Sequence, residues 1–299
     1  VKEKPIQDNS ADLPPPSPAP QQVAPSGLAQ PFAPQQDTPG GSPQPPQLGQ
    51  PAATPGPYPQ QSQPLKIEIS HSERLDPVAP ELRAGAVFNE QLLPPAEPGN
   101  DWYWIPYWYA GLKHVDTETD WQDYNFQTGV TINPDRVLLN RQDLAIGFQA
   151  DRNGQVWEFK RAPYRATIEG QNTVSIMMVR NRDPLLVSQE RVVIRLLQTA
   201  IIVDKASNRI LSSGQTEQIN TYFPSGPGVM TLQSSIKTFG ADGSPQLQEL
   251  NSGIVADRAP FQPIDYYEGH DMRALFSNYM LSHGYGNLLP DYLRPQAEH

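Results

Sequence analysis

From residue 102 onward, apolar residues alternate with polar ones in short runs, and the runs are broken by Asp, Asn and Gly. A period of two fits a half-buried strand and is incompatible with a helical stripe, so most of this region is restricted to antiparallel β-structure. Leu144, Ile146 and Phe148 alternate with small or polar neighbours, and Asp151-Arg152-Asn153-Gly154 follows. Asn-Gly between alternating runs is the strongest short-range hairpin signal. The return strand carries Trp157 and Phe159 on one face and Glu158 and Lys160 on the other. Tyr164, Ala166 and Ile168 continue the alternation to a turn at Gly170-Gln171-Asn172, and Val174, Ile176 and Met178 form the next run. The β-branched stretch Val192–Val203 reads as a buried central strand, with Asp204–Asn208 as its turn. Met230, Leu232, Ser234 and Ile236 share one face of a further strand, and Asp242-Gly243 turns the chain into Gln246–Asn251.

One segment breaks the period. Met272, Leu275, Phe276, Tyr279 and Met280 recur at helical spacing, with Asp271 placed to cap and Gly284 to stop. The expected architecture is therefore mainly β: an antiparallel meander sheet, sandwich or partial barrel with one C-terminal amphipathic helix over 271–283.

Proline divides the chain. Residues 1–64 hold 18 of the 34 Pro together with 12 Gln, and no Lys or Arg occurs between Lys4 and Lys66. Such a segment cannot bury enough apolar surface to offset the entropy of ordering it, so 1–64 reads as a disordered Pro/Gln-rich tether. Leu65, Ile67 and Ile69 suggest a short strand. Pro77, Pro80, Pro94, Pro95 and Pro98 then make 65–101 an irregular connector with a short strand or helical turn near 82–93. Residues 102–299 form the β-rich globular domain.

Composition excludes several chemistries. There is no Cys, hence no disulfide framework, thiol nucleophile or cysteine-based metal site. A net charge of −10 without a long basic block argues against nucleic acid as a partner. No run approaches the roughly 18 consecutive apolar residues of a membrane span. No G-x-S-x-G elbow, H-E-x-x-H pair or phosphate-binding glycine loop occurs, so no catalytic residue, metal site or cofactor is assigned.

Two segments carry potential binding chemistry. In "DWYWIPYWYAG" (101–111), six of the eight residues from Trp102 to Tyr109 are aromatic. As an extended strand it would place Trp102, Trp104 and Trp108 on one side, a surface suited to a sugar ring or a partner protein. Pro106 inside the run favours an edge or a kink. Trp102, Trp104, Tyr107 and Trp108 are the candidate binding residues. In "HVDTETD", a straight strand would project His114, Asp116, Glu118 and Asp120 from one face. The outer two would lie about 20 Å apart, too far to share an ion, so this segment reads as a solvated strand face or acidic loop.

The expected function is a non-catalytic structural or protein-interaction module of a bacterial cell envelope, presented on a flexible stalk. The alternative is a carbohydrate-binding module or glycan-active enzyme using 102–109. The arm and the Val at position 1 fit an exported, periplasmic or cell-surface protein whose leader was removed. The expected partner is an envelope protein or a glycan.

Overall fold

A computed structural model describes residues 70–294; the arm and the short strand expected at 65–69 lie outside the described residues. The strands in chain order are β1 (Trp102–Ile105), β2 (Gly111–Asn125), β3 (Val130–Ile132), β4 (Arg136–Ile146), β5 (Gln149–Ala150), β6 (Val156–Phe159) and β7 (Tyr164–Glu169). They continue with β8 (Thr173–Val187), β9 (Val192–Asp204), β10 (Ile210–Gly226), β11 (Val229–Phe239) and β12 (Pro245–Ala259). A minimal hairpin of β13 (Tyr266–Tyr267) and β14 (His270–Asp271) leads into helix α1 (Met272–Ser282). Nine strands form one antiparallel sheet in the order β3-β2-β12-β11-β10-β9-β8-β7, with β4 also paired to β2. From β7 to β12 the order is a plain meander, because each turn is short enough to bring the next strand alongside.

This sheet is strongly curled. Leu144 and Ile146 of β4 line the same small cavity as Arg182 of β8 and Ile194 and Leu196 of β9. In a flat sheet β4 and β8 would be six strand spacings, about 29 Å, apart. Bulges supply the bend: the register shifts at Val115/Thr117 between β2 and β4, and at Leu250/Asn251, Gly253/Val255 and Asp257/Ala259 between β12 and β2. Pro184, near the end of β8, sits at another shift, on a stretch of β8 that β7 no longer pairs. The curled inner face gathers Val115, Leu144, Ile146, Ile194, Leu196, Tyr222, Met230, Leu232 and Val255 into one core.

A three-stranded sheet, β1-β6-β5, plugs that face. Alternation gives it two apolar sides. Ile105 and Val156 enter the core of the large sheet. Trp102, Trp157 and Phe159 point the other way, onto Met272, Phe276 and Met280 of α1. The helix forms where its period predicts, and the Asp271 side chain accepts the Ala274 amide at 3.0 Å as its cap. Between β4 and β5 the chain turns at Gly147 with φ +88°, where a Cβ would lie 2.6 Å from Val156 Cγ1, so only glycine fits.

Charge crosses between these layers at Glu158, and again where Lys160, just past β6, meets Asp183 of β8 at 2.8 Å. Glu158 of β6 is fully buried and accepts from the Gly147 amide at 2.6 Å. Its other oxygen accepts from Arg161 at 2.9 Å and from Arg182 of β8 at 3.0 Å. Burial works against the charge on Arg161, but Glu158 more than compensates and the guanidinium is held above its ordinary value.

The connector 70–93 covers the outer face. Val78, Leu82 and Leu93 pack on Ile176, Met178, Ile201, Val203 and Ile210. Main-chain bonds from Leu75 to Gly243 (3.1 Å) and from Val78 to Ala241 (2.8 Å) pin it. In place of one element near 82–93 there are two 3-10 turns, Pro80–Leu82 and Glu90–Leu92, and a single bridge from Val87 to Arg209.

Phe276 is wholly buried against Trp102 and Trp157. Phe276→Ala is expected to cost about 3–5 kcal/mol, measured as a lower urea midpoint with an unchanged slope. An unchanged midpoint would show that α1 does not hold the plug in place.

Candidate functional site

The aromatic run is not one strand. β1 ends at Ile105, Pro106 caps a 3-10 turn over Tyr107–Tyr109, and the shared face expected for three indoles is lost. Trp102 is in the core at 4% exposure, and its indole N–H donates to Asn100. Tyr109 turns inward onto Tyr222. Trp108 is half-buried and donates to the Gln189 carbonyl at 2.8 Å. Trp104 at 37% exposure and Tyr107 at 65% reach solvent. The two glycan- or partner-facing candidates among the described aromatics of this segment are thus Trp104 and Tyr107, with Trp108 behind them.

The acidic segment departs from the straight-strand reading for a definite reason. The bulge between Val115 and Thr117 reverses parity within β2. His114 and Asp116 stay near the surface, where His114 meets Asp143 at 2.6 Å and Asp116 at 3.3 Å. Glu118 and Asp120 turn to the inner face and are buried. A second shift near Trp121 brings Asp123 to the same side, and Glu249 approaches from β12, where it pairs with Asp123. One oxygen of each of Asp120, Asp123 and Glu249 lies within 4.8 Å of the others, so among the described residues these three could together hold a metal ion. Arg136 of β4 contacts Asp120 at 2.7 Å and lies 3.6 Å from Asp123 and 3.8 Å from Glu249. Burial, then the charges of Asp123 and Asp120, push Glu249 up to about 7 against the pull of Arg136. Burial and Asp120 raise Asp123 as well. The sequence reading assigned no metal to this segment, because a straight strand holds its acids too far apart, and Glu249, far along the chain on another strand, carried no signal.

A third group was invisible in the sequence. His71 of the connector contacts Glu217 at 3.0 Å through Nδ1 and the Ser235 hydroxyl at 2.8 Å through Nε2. The order Ser–His–acid resembles a hydrolytic triad, but its surroundings fit a clasp. Ser235 is in mid-strand between β10 and β12, so neighbouring amides are committed to the ladders and none faces an oxyanion. Gln248 donates to its hydroxyl at 3.1 Å. Glu217 also accepts from the Ser72 amide at 2.7 Å and the Ser72 hydroxyl at 3.0 Å. Burial opposes its charge, but the bonds from His71 and Ser72 outweigh it and hold Glu217 below the ordinary range. The group fixes the connector to the sheet.

The fourth feature is the sheet edge. β4 pairs only with β2 among the described residues. Its outward side chains Val137 and Leu139 are 68% and 66% exposed, and Val130 and Ile132 of β3 are exposed too. Opposite Val137 and Leu139 in register stand Thr119 and Thr117. These threonines floor a groove of about 370 Å³ on the outer face, walled on the β12 side by exposed Ile254. Sequence alternation had no means of marking which strand ends the sheet.

No protein-family model and no curated protein matches this chain. Among solved structures it is similar to Ail, the attachment invasion locus protein of Yersinia pestis, over 49% of this chain and 99% of that one. The identity is 8% and the TM-score 0.19, so the likeness transfers no role.

Glu249 gives a pH test. Its folded value of about 7 exceeds its ordinary 4.5, so the native state holds the proton more tightly. The resulting stability is full below 4.5 and is lost as pH rises through about 7. In chelator, unfolding free energy is expected to fall by on the order of 3 kcal/mol between those limits. Glu249→Gln should flatten that slope; a wild-type profile as flat as the variant's would refute the coupling.

Proposed function

We propose that the protein is a non-catalytic interaction module of a bacterial cell envelope that takes up an extended segment of a partner protein along its β4 edge. The observation that carries this reading is the open edge itself. A strand with unpaired N–H and C=O groups is a template for another chain, and natural proteins blunt such edges unless they are used. Here the edge presents Val137 and Leu139 to solvent beside the threonine-floored groove under Ile254, so both main-chain bonds and aliphatic side-chain contacts are on offer. A partner strand with alternating aliphatic side chains fits both.

The interior supports a binding role over a catalytic one. The cavity under Tyr109 and Tyr222 holds about 10 Å³ of free space, room for about one water and no substrate. The Ser235 group serves the connector. Placement in the envelope rests on the Pro/Gln-rich composition of the arm, which suits a tether holding the domain away from its attachment point.

A second reading rests on Trp104 and Tyr107. Their exposure leaves two flat rings for a glycan, fewer than the three indoles anticipated on one face. Quenching of tryptophan emission by polysaccharides that is lost in Trp104→Ala would favour it.

The test of the edge is site-specific photo-crosslinking in envelope preparations, with the probe at Leu139 or at Leu211, which is 54% exposed elsewhere. Probes at 139 are expected to join one recurrent partner segment, and Val137→Lys with Leu139→Lys should reduce the yield at least about tenfold. The same products from both probes, or no effect of the double substitution, would defeat the reading.

A further inference from the structure

We propose that Asp120, Asp123 and Glu249, completed by the carboxamide oxygen of Asn251, form a calcium site that ties β2 to β12 on the inner face of the sheet. Three acids in proximity do not make a site, and the case rests on what surrounds them. The Asn251 side chain is a separate observation. Asn251 is 95% buried, since only 5% of it is exposed, and its Oδ1 has no hydrogen-bond partner. It stands opposite Asp120 in register and two residues from Glu249 on the same face of β12, so it opens toward the carboxylates. Asp120 Oδ1 and Asp123 Oδ1 are likewise buried without a donor. Ionised carboxylates and an amide oxygen can only accept, so three such atoms out of water call for a proton or a cation between them.

Charge selects the valence. Arg136 supplies one positive charge against three carboxylates and is engaged chiefly by Asp120 Oδ2. Two negative charges remain when all three acids are ionised, which a divalent ion balances. Arg136 is about half exposed and reaches in from the edge strand, so it can stay as a partner of Asp120 or swing outward.

Donor type narrows the choice of ion. The set is all oxygen, with no His or Cys, which disfavours zinc and favours calcium or magnesium. Ligands on opposite sides of a calcium ion, each at about 2.4 Å, are about 4.8 Å apart. One oxygen of each carboxylate already lies within 4.8 Å of the others, so a calcium ion can sit among them. Magnesium, which holds to octahedral geometry and gives up its waters reluctantly, is served less well by four protein oxygens fixed on two strands. Four side chains and a few waters complete the usual six to eight oxygens. The site lies on the face opposite the Ile254 groove, so it does not depend on the docking reading.

Calcium titration of the full chain at pH 8, after chelator treatment, tests this by calorimetry. The expected result is one saturable ion per chain at or below about millimolar concentration, with magnesium at least about tenfold weaker. Asp120→Asn should weaken binding at least about tenfold while the far-ultraviolet circular dichroism is kept. No saturable binding by the wild type, or equal binding by a folded Asp120→Asn, overturns the proposal. Should that variant not fold, terbium luminescence excited through tryptophan decides. Trp121 sits between Asp120 and Asp123, so Trp121→Phe must remove most of the sensitised emission. Unchanged emission would place the ion elsewhere and overturn the site.

Discussion

The Glu158 carboxylate, wholly out of water, is the point at which the layers of this fold are fastened. It takes the Gly147 amide where the chain leaves β4, Arg161 where it leaves β6, and Arg182 on β8 near the far edge of the large sheet. An ionised carboxylate in such a place is costly unless every lone pair is used. The two guanidinium groups have the converse requirement, and one acid cannot neutralise both. The hydroxyl of Tyr103 accepts a bond from Arg182 at 3.3 Å, and Arg161 lies over the Phe148 ring, so the excess positive charge is met by oxygen and π density. Burial in this setting raises the Tyr103 phenol and keeps it protonated.

The plug seats in the curl that the bulges of β2, β4 and β12 produce. The plug covers the inner face only at one end, where Ile105 and Tyr109 meet the aliphatic core. Toward the other end the same face becomes polar, with Gln218 bonded to Asn220 and Ser234 and the carboxylates of β2 and β12 beyond. The outer face divides the other way: the connector covers one part, and the part around Ile254 and Leu139 stays open. One curled sheet therefore carries a carboxylate cluster on one face and an open groove and a free edge on the other.

Much of this order is legible in the residues because turns and faces are local. Asp151–Gly154, Gly170–Asn172 and Asp242–Gly243 lie between successive strands, as does Asp204–Asn208 except for Asp204, the last residue of β9. The helical stripe at 272–280 buries Met272, Phe276 and Met280, with Leu275 and Tyr279 partly covered. Where the reading fails, a one-residue event is responsible. Pro106 ends β1 and sends Trp102 and Trp108 to different environments. The bulge after Val115 moves Glu118 and Asp120 to the opposite face from His114 and Asp116. A period of two is unforgiving, since one inserted residue inverts everything beyond it. The Glu249 contribution and the Ser235–His71–Glu217 clasp are beyond such reading altogether, for their members are joined only by sheet order and by a connector whose path has no periodic signal.

An edge that recruits a partner, or a calcium ion that stiffens β2 and β12, requires a scaffold that stays curled. That scaffold depends on the buried carboxylate. The decisive measurement is the unfolding free energy of Glu158→Gln against the wild type, by urea denaturation at neutral pH. With Arg161 and Arg182 left without their counter-charge, the account predicts a loss of about 3–5 kcal/mol. A loss below about 1 kcal/mol would mean that the layers are held by apolar contact alone, and would contradict it.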